Sequence, residues 1–301
     1  MPEGPALPRV AVVIPSHNDL ATLPRAVRSV RAQTLRAVEC VVVSDASDDG
    51  TEDWLRDQPD VRWRSIAARS PSAARNAGLG LTTAPYVAFL DADDEWHPDR
   101  LALFALQLAA RPEGVIWACT WRREGLPLAP LPAARWVASH CRRIPYAAFL
   151  GMNQFQTSTV VARTEAVRAV GGFDPAADGA EDWDLWTRLA ATGAVWLTPA
   201  PLVTYRTGTG RVSSDGGRVY RQGAALLGRQ AADPRHLAWH HLRFAYAFRR
   251  QGRVTLAEQA AAAMPPLGPG ARLRLRARFA LYLVSRLVRR VADGLSRRLG
   301  R

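Results

Sequence analysis

Asp91-Ala92-Asp93 follows directly on an apolar run, Tyr86 to Leu90, and sets two carboxylates one residue apart at a strand end. Such a pair suits a hard divalent cation. One carboxylate can ligate Mg²⁺ or Mn²⁺, which bridges two phosphates, while the other holds a ribose hydroxyl. The plainer alternative is an acidic turn. A further carboxylate, Asp45, closes the apolar run Val38–Val43 within Ser44-Asp45-Ala46-Ser47-Asp48-Asp49-Gly50-Thr51. It can bind the edge of a nucleobase or a ribose, leaving Asp48 or Asp49 to cap the helix that starts at Thr51. The turn Pro15-Ser16-His17-Asn18 offers backbone and amide groups to a base. Arg75-Asn76 places one cation and one amide on a helix with no obvious core role. Glu181-Asp182 opens another helix, where the dipole favours acids and keeps them ionised.

These groups need elements to position them. Val10–Ile14, Val38–Val43, Val61–Ile66 and Tyr86–Leu90 read as buried strands, and Gly114–Thr120 is strand-like. Between them, helices are expected over 19–33, 51–56, 72–81 and 98–110. Strands alternating with helices imply an α/β fold with a mainly parallel sheet, whose ligands collect at the carboxyl ends of the strands. The polar clusters at Ser16-His17-Asn18, Ser44-Asp45 and Asp91–Asp94 fall at three such ends. Further on, a strand is expected over 157–162, a helix over 182–191, and two short strands over 195–198 and 202–205. Beyond about residue 215 the pattern is helical, with a hairpin of helices over 231–250 and 255–264, a Pro/Gly linker over 265–270, and a last helix over 272–299.

The chain has 301 residues, 48% of them hydrophobic and 22% charged, enough for one large domain or two modest ones. It contains no Lys, so its 40 basic residues are all Arg. That excludes a Lys-dependent phosphate loop and Schiff-base chemistry. Its three Cys (40, 119 and 141) have no metal-ligand spacing, and a reducing compartment is expected. Neither a signal peptide nor a membrane span is visible. Asn occurs only at 18, 76 and 153.

The segments Val-Val-Ile-Pro-Ser-His-Asn (12–18), Ser-Asp-Ala-Ser-Asp-Asp-Gly-Thr (44–51), Ala-Arg-Asn-Ala-Gly (74–78), Phe-Leu-Asp-Ala-Asp-Asp (89–94), Gly-Gly-Phe-Asp (171–174) and Glu-Asp-Trp-Asp-Leu-Trp (181–186) occur in this order. The set resembles bacterial family 2 glycosyltransferases, inverting enzymes of the GT-A fold, across about residues 12–206. The resemblance implies a catalytic domain over 8–215 and a helical extension over 216–301. It also implies that Pro15, His17, Asn18 and Asp45 line a nucleoside pocket, with Arg75 near the nucleotide. Asp91 and Asp93 become the ribose and metal carboxylates, Asp93 being the direct ligand to Mn²⁺ or Mg²⁺. Asp182 becomes the catalytic base, paired with Glu181. The donor implied is a nucleotide-diphospho-sugar, with uridine diphosphate as the default, and the acceptor is a hydroxyl in cell-surface polysaccharide or glycolipid synthesis, such as that of a lipid-linked saccharide.

Two departures stand out. Family members often carry a His shortly after the position of Tyr205-Arg206; this chain does not, and Arg206 or Arg211 is the expected substitute at the diphosphate. Ser44 stands where Asn is more usual. Sugar selectivity is expected at Trp96, Arg163 and residues 151–158. One rival, a sugar-nucleotide pyrophosphorylase, lacks its Lys-containing loop here. The other is a catalytically silent scaffold that keeps the donor pocket and docks through its C-terminal helix.

That helix carries most of the charge. Residues 271–301 hold ten Arg and one acid, Asp293, a local charge of +9 that leaves +4 of the total +13 to the first 270 residues. At helical spacing Ala277, Ala280, Leu281, Val284, Leu287, Val288, Val291, Leu295 and Leu299 share one side, opposite Arg278, Arg286, Arg289, Arg290 and Arg297. The helix either docks on an anionic membrane surface or packs its apolar side on the catalytic domain. Nucleic acid is not expected, because only Phe279 and Tyr282 can stack and no known module is present. The expected location is the cytoplasm, at the periphery of the membrane's inner face.

Overall fold

The computed structural model describes residues 8–35, 38–125, 132–206, 215–230 and 233–299, with side chains in the last helix described to Ser285. The chain forms two compact units, residues 1–149 with 153–208 and residues 150–152 with 209–301.

The first unit begins with β1 (Val10–Ser16), α1 (Leu23–Arg31), β2 (Val38–Asp45), α2 (Thr51–Arg56), β3 (Val61–Ile66), α3 (Pro71–Leu81) and β4 (Tyr86–Phe89). It continues through β5 (Glu95–Trp96), α4 (Arg100–Ala110), β6 (Gly114–Arg123), α5 (Ala134–His140), β7 (Arg142–Ile144) and α6 (Tyr146–Phe149). It closes with β8 (Val160–Arg163), α7 (Thr164–Ala169), α8 (Glu181–Thr192) and β9 (Ala194–Tyr205). The sheet order is β3-β2-β1-β4-β8-β6-β9-β5, with β7 on β9. β3, β2, β1 and β4 are parallel neighbours, while β8 runs antiparallel to both β4 and β6. The order reverses between β1 and β4, so their carboxyl ends flank a crevice at the topological switch point.

Side chains alternate between two cores. Val10, Val12 and Ile14 of β1 join Leu23, Val27, Leu101 and Phe104 on one face. Val13 joins Phe89, Phe173, Leu185, Trp186 and Leu189 on the other. A strand buried on both faces reads as a continuous apolar run, which is why β1 was legible. Gly78 lets α3 lie close on β1: a Cβ there would sit 2.4 Å from Val13 Cγ1.

Three expectations are corrected. The two short strands expected over 195–198 and 202–205 are one strand, β9. Thr198 pairs with Cys119 and Pro201 with Thr120, so Pro199 and Ala200 form an insertion in the ladder. A bulge tolerates proline, which cannot donate to a neighbour. The strand expected over 157–162 starts as a 3₁₀ turn, Thr157–Thr159, before β8 begins. The helix expected from Asp19 starts at Leu23, where Pro24 fits the first turn.

The second unit holds α9 (Gly216–Arg229), α10 (Pro234–Arg250), α11 (Val254–Ala262) and α12 (Pro269–Leu299). Tyr220, Phe248, Ala257 and Ala260 form its core. His240 is fully buried there beside Tyr220, and burial pushes its imidazole down to about 3. On α12 the half-buried positions include Leu275, Phe279 and Tyr282. Phe279 and Tyr282 pack edge-on against Trp239 of α10. The packed face is therefore this aromatic one and not the expected Leu/Val stripe, whose Leu281 and Val284 are 72% and 58% exposed. Among the described residues no helix is long and apolar enough to cross a membrane.

Candidate active site

The carboxyl ends of β1, β2 and β3 are joined by hydrogen bonds between their loops. Asn18 N–H donates to Ser47 Oγ at 3.1 Å, and Asn18 Oδ1 accepts from Asp48 N–H at 2.8 Å. His17 Nδ1 lies 2.6 Å from the Asp45 carbonyl. The Asp45 carboxylate, almost fully buried, accepts N–H bonds from Ala68, Arg69 and Ser70 at 2.7–2.8 Å. It organises the loop that leads into α3, whose first turn is capped by Ser70. The N-cap of α2 is Gly50, neither Asp48 nor Asp49, and carries no side-chain cap; Asp49, one residue earlier, accepts from Thr51 N–H and Oγ1–H. Ser44 Oγ donates to Glu52 at 3.0 Å. Pro15 lies within β1 in register with Val43.

Backbone strain concentrates here. Among the described residues the non-glycine positions with positive φ are Asn18 (56°), Ala46 (54°) and Arg69 (49°), one just beyond each of β1, β2 and β3. Left-handed backbone costs a residue with a Cβ about 1 kcal/mol or more, and such strain gathers at functional sites.

Across the crevice, Arg75 ties the acidic motifs together. Its side chain is buried in α3. One terminal nitrogen donates to Asp91 Oδ1 at 2.9 Å, the other to Glu181 Oε1 at 3.0 Å, and the guanidinium lies 5.3 Å from the Phe173 ring centre. The two carboxylates hold Arg75 firmly charged. Asn76 is a structural residue: its amide donates to the Phe173 carbonyl and accepts from Phe173 N–H, fixing the Gly171-Gly172-Phe173 turn against α3.

Glu181 and Asp182 are adjacent and titrate in opposite directions. Burial raises the Glu181 carboxyl, but Arg75 and the Gly179 N–H outweigh it and hold the group below its usual range. Burial also raises Asp182, and the negative Glu181 raises it further. Asn153, Arg75 and the Trp183 N–H act against them, and the carboxyl comes to rest at about 7. The helix terminus therefore does not keep Asp182 fully ionised at neutral pH. A carboxylate whose proton affinity is matched to neutral pH is suited to general-base work.

Two neighbours of these carboxylates, Asn153 and Ser158, lie in the segment 151–158 that the sequence places at the sugar pocket without separating its members. Asn153 Nδ2 donates to Asp182 Oδ2 at 2.8 Å. Ser158 Oγ accepts from Asp91 N–H at 3.1 Å and donates to Asp94 Oδ2 at 2.7 Å. Asn153 had one available signal, the rarity of asparagine: all three in the chain lie at this site.

Two expected pocket residues, Trp96 and Arg163, are displaced. Trp96 is buried and donates to the Ser158 carbonyl, so it is core. Arg163 sits at the opposite end of the sheet, because antiparallel β8 pairs it with Tyr86 at the start of β4; its guanidinium binds the Gly114 and Pro112 carbonyls. The Arg206 N–H reaches Asp94 Oδ1 at 3.2 Å, and its side chain pairs with Glu124. Arg211 lies outside the described residues. Trp183 and Trp186 are buried.

The donor set at Asp91 and Asp93 is all oxygen, which suits Mg²⁺ or Mn²⁺. Among the described residues no three His, Cys, Asp or Glu side chains cluster to hold a metal alone. Such ions are commonly held by one or two carboxylates and completed by substrate phosphates and water, and the residues present fit that pattern.

Comparison with known proteins agrees with this architecture. The succinoglycan biosynthesis protein ExoO of Rhizobium meliloti (strain 1021) is 43% identical over 98 residues, 32% of this chain and 28% of that protein. The pre-mycofactocin glycosyltransferase of Mycobacterium tuberculosis (strain ATCC 25618 / H37Rv) is 33% identical over 206 residues, 64% of this chain and 41% of that protein. The matches thus span less than half the length of either relative. Among solved structures, S. aureus TarS 1-349 in complex with UDP-GlcNAc superposes with a TM-score of 0.62 at 17% identity, covering 85% of this chain and 82% of that one. Mannosyltransferase PcManGT from Pyrobaculum calidifontis, in complex with GDP-Man and Mn²⁺, superposes with a TM-score of 0.61 at 22% identity, covering 93% and 81%. The shared fold is the GT-A fold. The family model described as Glycosyl transferase family 2 matches residues 11–162, half of the sequence, and the chain belongs to that family.

Proposed function

We propose that this protein transfers a sugar from a nucleotide-diphospho-sugar to an acceptor hydroxyl, with inversion at the anomeric carbon, in the synthesis of a bacterial cell-surface polysaccharide or glycolipid. The observation that carries the reading is the buried Arg75 bridge. It fixes Asp91, at the end of β4, and Glu181, beside Asp182, on one crevice wall. The carboxylate assigned to the ribose and the immediate neighbour of the assigned base are thereby held in one site by one side chain.

In this mechanism Pro15, His17 and Asn18 frame the nucleoside, and Asp45 does so through the loop it holds. Asp91 takes the ribose side, and Asp93 would be the direct ligand of a divalent cation. When bound, Mn²⁺ or Mg²⁺ supplies positive charge to the departing diphosphate. Asp182 accepts the proton of the acceptor hydroxyl as the new C–O bond forms and the bond to the diphosphate breaks. Glu181 stays ionised on Arg75 and keeps Asp182's proton affinity high. A single displacement needs no enzyme nucleophile. Arg206 and Arg211 belong near the diphosphate, Arg206 after leaving Glu124. Residues 8–215 are the proposed catalytic domain and 216–301 its helical extension. A uridine diphosphate donor is the first choice; the GDP-Man bound by the Pyrobaculum neighbour makes guanosine diphosphate the alternative to test.

The experiment is a thermal-shift panel of UDP and GDP with and without Mn²⁺, followed by hydrolysis of the matching nucleotide sugars by the unaltered chain and by Asp182→Asn. A ligand at 100 times its dissociation constant stabilises by about 2.7 kcal/mol. The expected result is a metal-dependent shift with one diphosphate, retained in Asp182→Asn while turnover is lost. No metal-dependent shift with either, or undiminished turnover in Asp182→Asn, overturns the reading. Donor binding without turnover in the unaltered chain would favour the silent scaffold.

A further inference from the structure

We propose that α12 docks the helical unit on the surface of an anionic lipid bilayer. The inference does not depend on the reaction assigned above.

The helix has two faces. At positions 275, 279 and 282 it turns Leu275, Phe279 and Tyr282 inward, the two aromatics against Trp239 of α10. Arg278 stacks over the same indole, 4.3 Å from its centre. Tyr246 of α10 adds an edge-on contact to Phe279. These contacts fix how the helix is rotated. The other side is thereby presented outward: Leu273, Ala277, Ala280, Leu281 and Val284 recur at i, i+4, i+7, i+8 and i+11, one stripe of a 3.6-residue helix. All five are exposed, with Leu273 at 69%, Leu281 at 72% and Val284 at 58%. Among the described residues, the only other large apolar side chain exposed to a comparable degree is Val254, which is not on this helix.

The charges at the stripe identify the partner. Arg274 and Arg276 lie on either side of it, about 80° from its midline at 100° per residue, and both are exposed. An apolar stripe between cationic rails matches the interface of an anionic membrane, where the stripe enters the acyl boundary and the guanidiniums reach back to phosphate. A second copy of the chain would bring Arg rails against Arg rails, and the segment offers only Asp293 to neutralise them. A nucleic acid would use the rails but leave the Leu/Val stripe in water. The bilayer satisfies both features.

The test is co-sedimentation of the full chain with vesicles of phosphatidylcholine alone and of phosphatidylcholine with an equal share of phosphatidylglycerol. Binding is expected only to the anionic vesicles. Each Arg near the surface contributes about fivefold to partitioning, so Arg274→Gln/Arg276→Gln should weaken binding about 25-fold. Leu281→Glu/Val284→Glu should abolish binding while leaving the melting temperature and donor-induced shift unchanged. Because both side chains are exposed, Leu281→Ser/Val284→Ser serves as a milder second variant. Salt titration of the unaltered chain is a check free of variants: half-molar NaCl should release it from the vesicles. Equal binding to neutral vesicles, wild-type binding by the stripe variants, or a dimer that the stripe variants dissolve without any lipid binding overturns the proposal. Binding of an RNA duplex in place of vesicles does the same.

Discussion

The opposite titration of Glu181 and Asp182 can be tested by a pH profile with one substitution. With Asp182 at about 7, the ionised fraction is roughly one-tenth at pH 6, half at pH 7 and nine-tenths at pH 8. If Asp182 is the base, kcat/KM should rise about fivefold from pH 6 to pH 7 and less than twofold from pH 7 to pH 8. Glu181 is the charged neighbour that raises Asp182, and Arg75 opposes it. Glu181→Gln removes the negative charge and leaves Arg75 in place, so the midpoint must move to lower pH. Asn153→Ala removes a hydrogen bond to the ionised form, so its midpoint must move up. The sign for stability is the reverse of that for activity. A raised folded-state value means that the native state holds the proton more tightly, so stability falls as pH rises from about 4 to about 7. Asp182→Asn escapes this loss and should melt higher than the unaltered chain at pH 8 while losing turnover. The assay is donor-dependent turnover at saturating Mn²⁺, with a donor thermal shift at each pH to separate binding from chemistry. A flat profile between pH 5.5 and 8, or a Glu181→Gln midpoint at or above the original, would refute the reasoning.

Further outcomes follow from the packing. Arg75→Met strands two carboxylates in a buried site, which should cost about 3–5 kcal/mol in urea unfolding; a loss below 1 kcal/mol would show that the bridge is dispensable. Gly78→Ala should cost about 1–3 kcal/mol, because the added methyl meets Val13 on β1. His240 is held neutral by burial at about 3, so its stabilising contribution is present above pH 6.5 and declines as pH falls below it. The helical unit should lose roughly 2 kcal/mol by pH 5, and His240→Gln should flatten that dependence in an acid-unfolding series followed by circular dichroism.

The parts of the fold legible in the sequence were those encoded locally. β1 and β4 are continuous apolar runs because both their faces are covered, β2 is one from Cys40 to Val43, and their polar ends mark the crevice. What was not legible depended on partners far along the chain. The two short strands expected over 195–198 and 202–205 are one strand, because β6 accommodates Pro199 and Ala200 as a bulge. Arg163 looked like a donor-pocket residue until the antiparallel pairing of β8 placed it at the other end of the sheet. The C-terminal helix was read correctly as amphipathic, but two aromatics on the face opposite its stripe decide which side it buries, and no periodicity calculation weighs Trp239 against a row of Leu and Val.

The site residues divide by what their chemistry allows them to do from a distance. Asp91, Asp182 and Glu181 announce themselves because carboxylates at element ends are costly to bury without a purpose. Asparagine gives no such warning, yet the three asparagines hold the geometry in which the carboxylates act. Asn18 joins the β1 and β2 loops, Asn76 clamps the turn before α8, and Asn153 steadies Asp182. Asn153 does so with an uncharged amide, where an Asp or Arg would change the local charge that sets Asp182 near neutrality. In the loop beyond β2, Ala46 sits at positive φ and its N–H bonds the Ile66 carbonyl at 2.8 Å, while Asp45 beside it gathers three amides. The strain at Ala46 is thus held by hydrogen bonds on both sides. For the proposed transfer, rigid loops beside a carboxylate of raised proton affinity are what positioning would require, since a misplacement of an ångström can forfeit most of the rate.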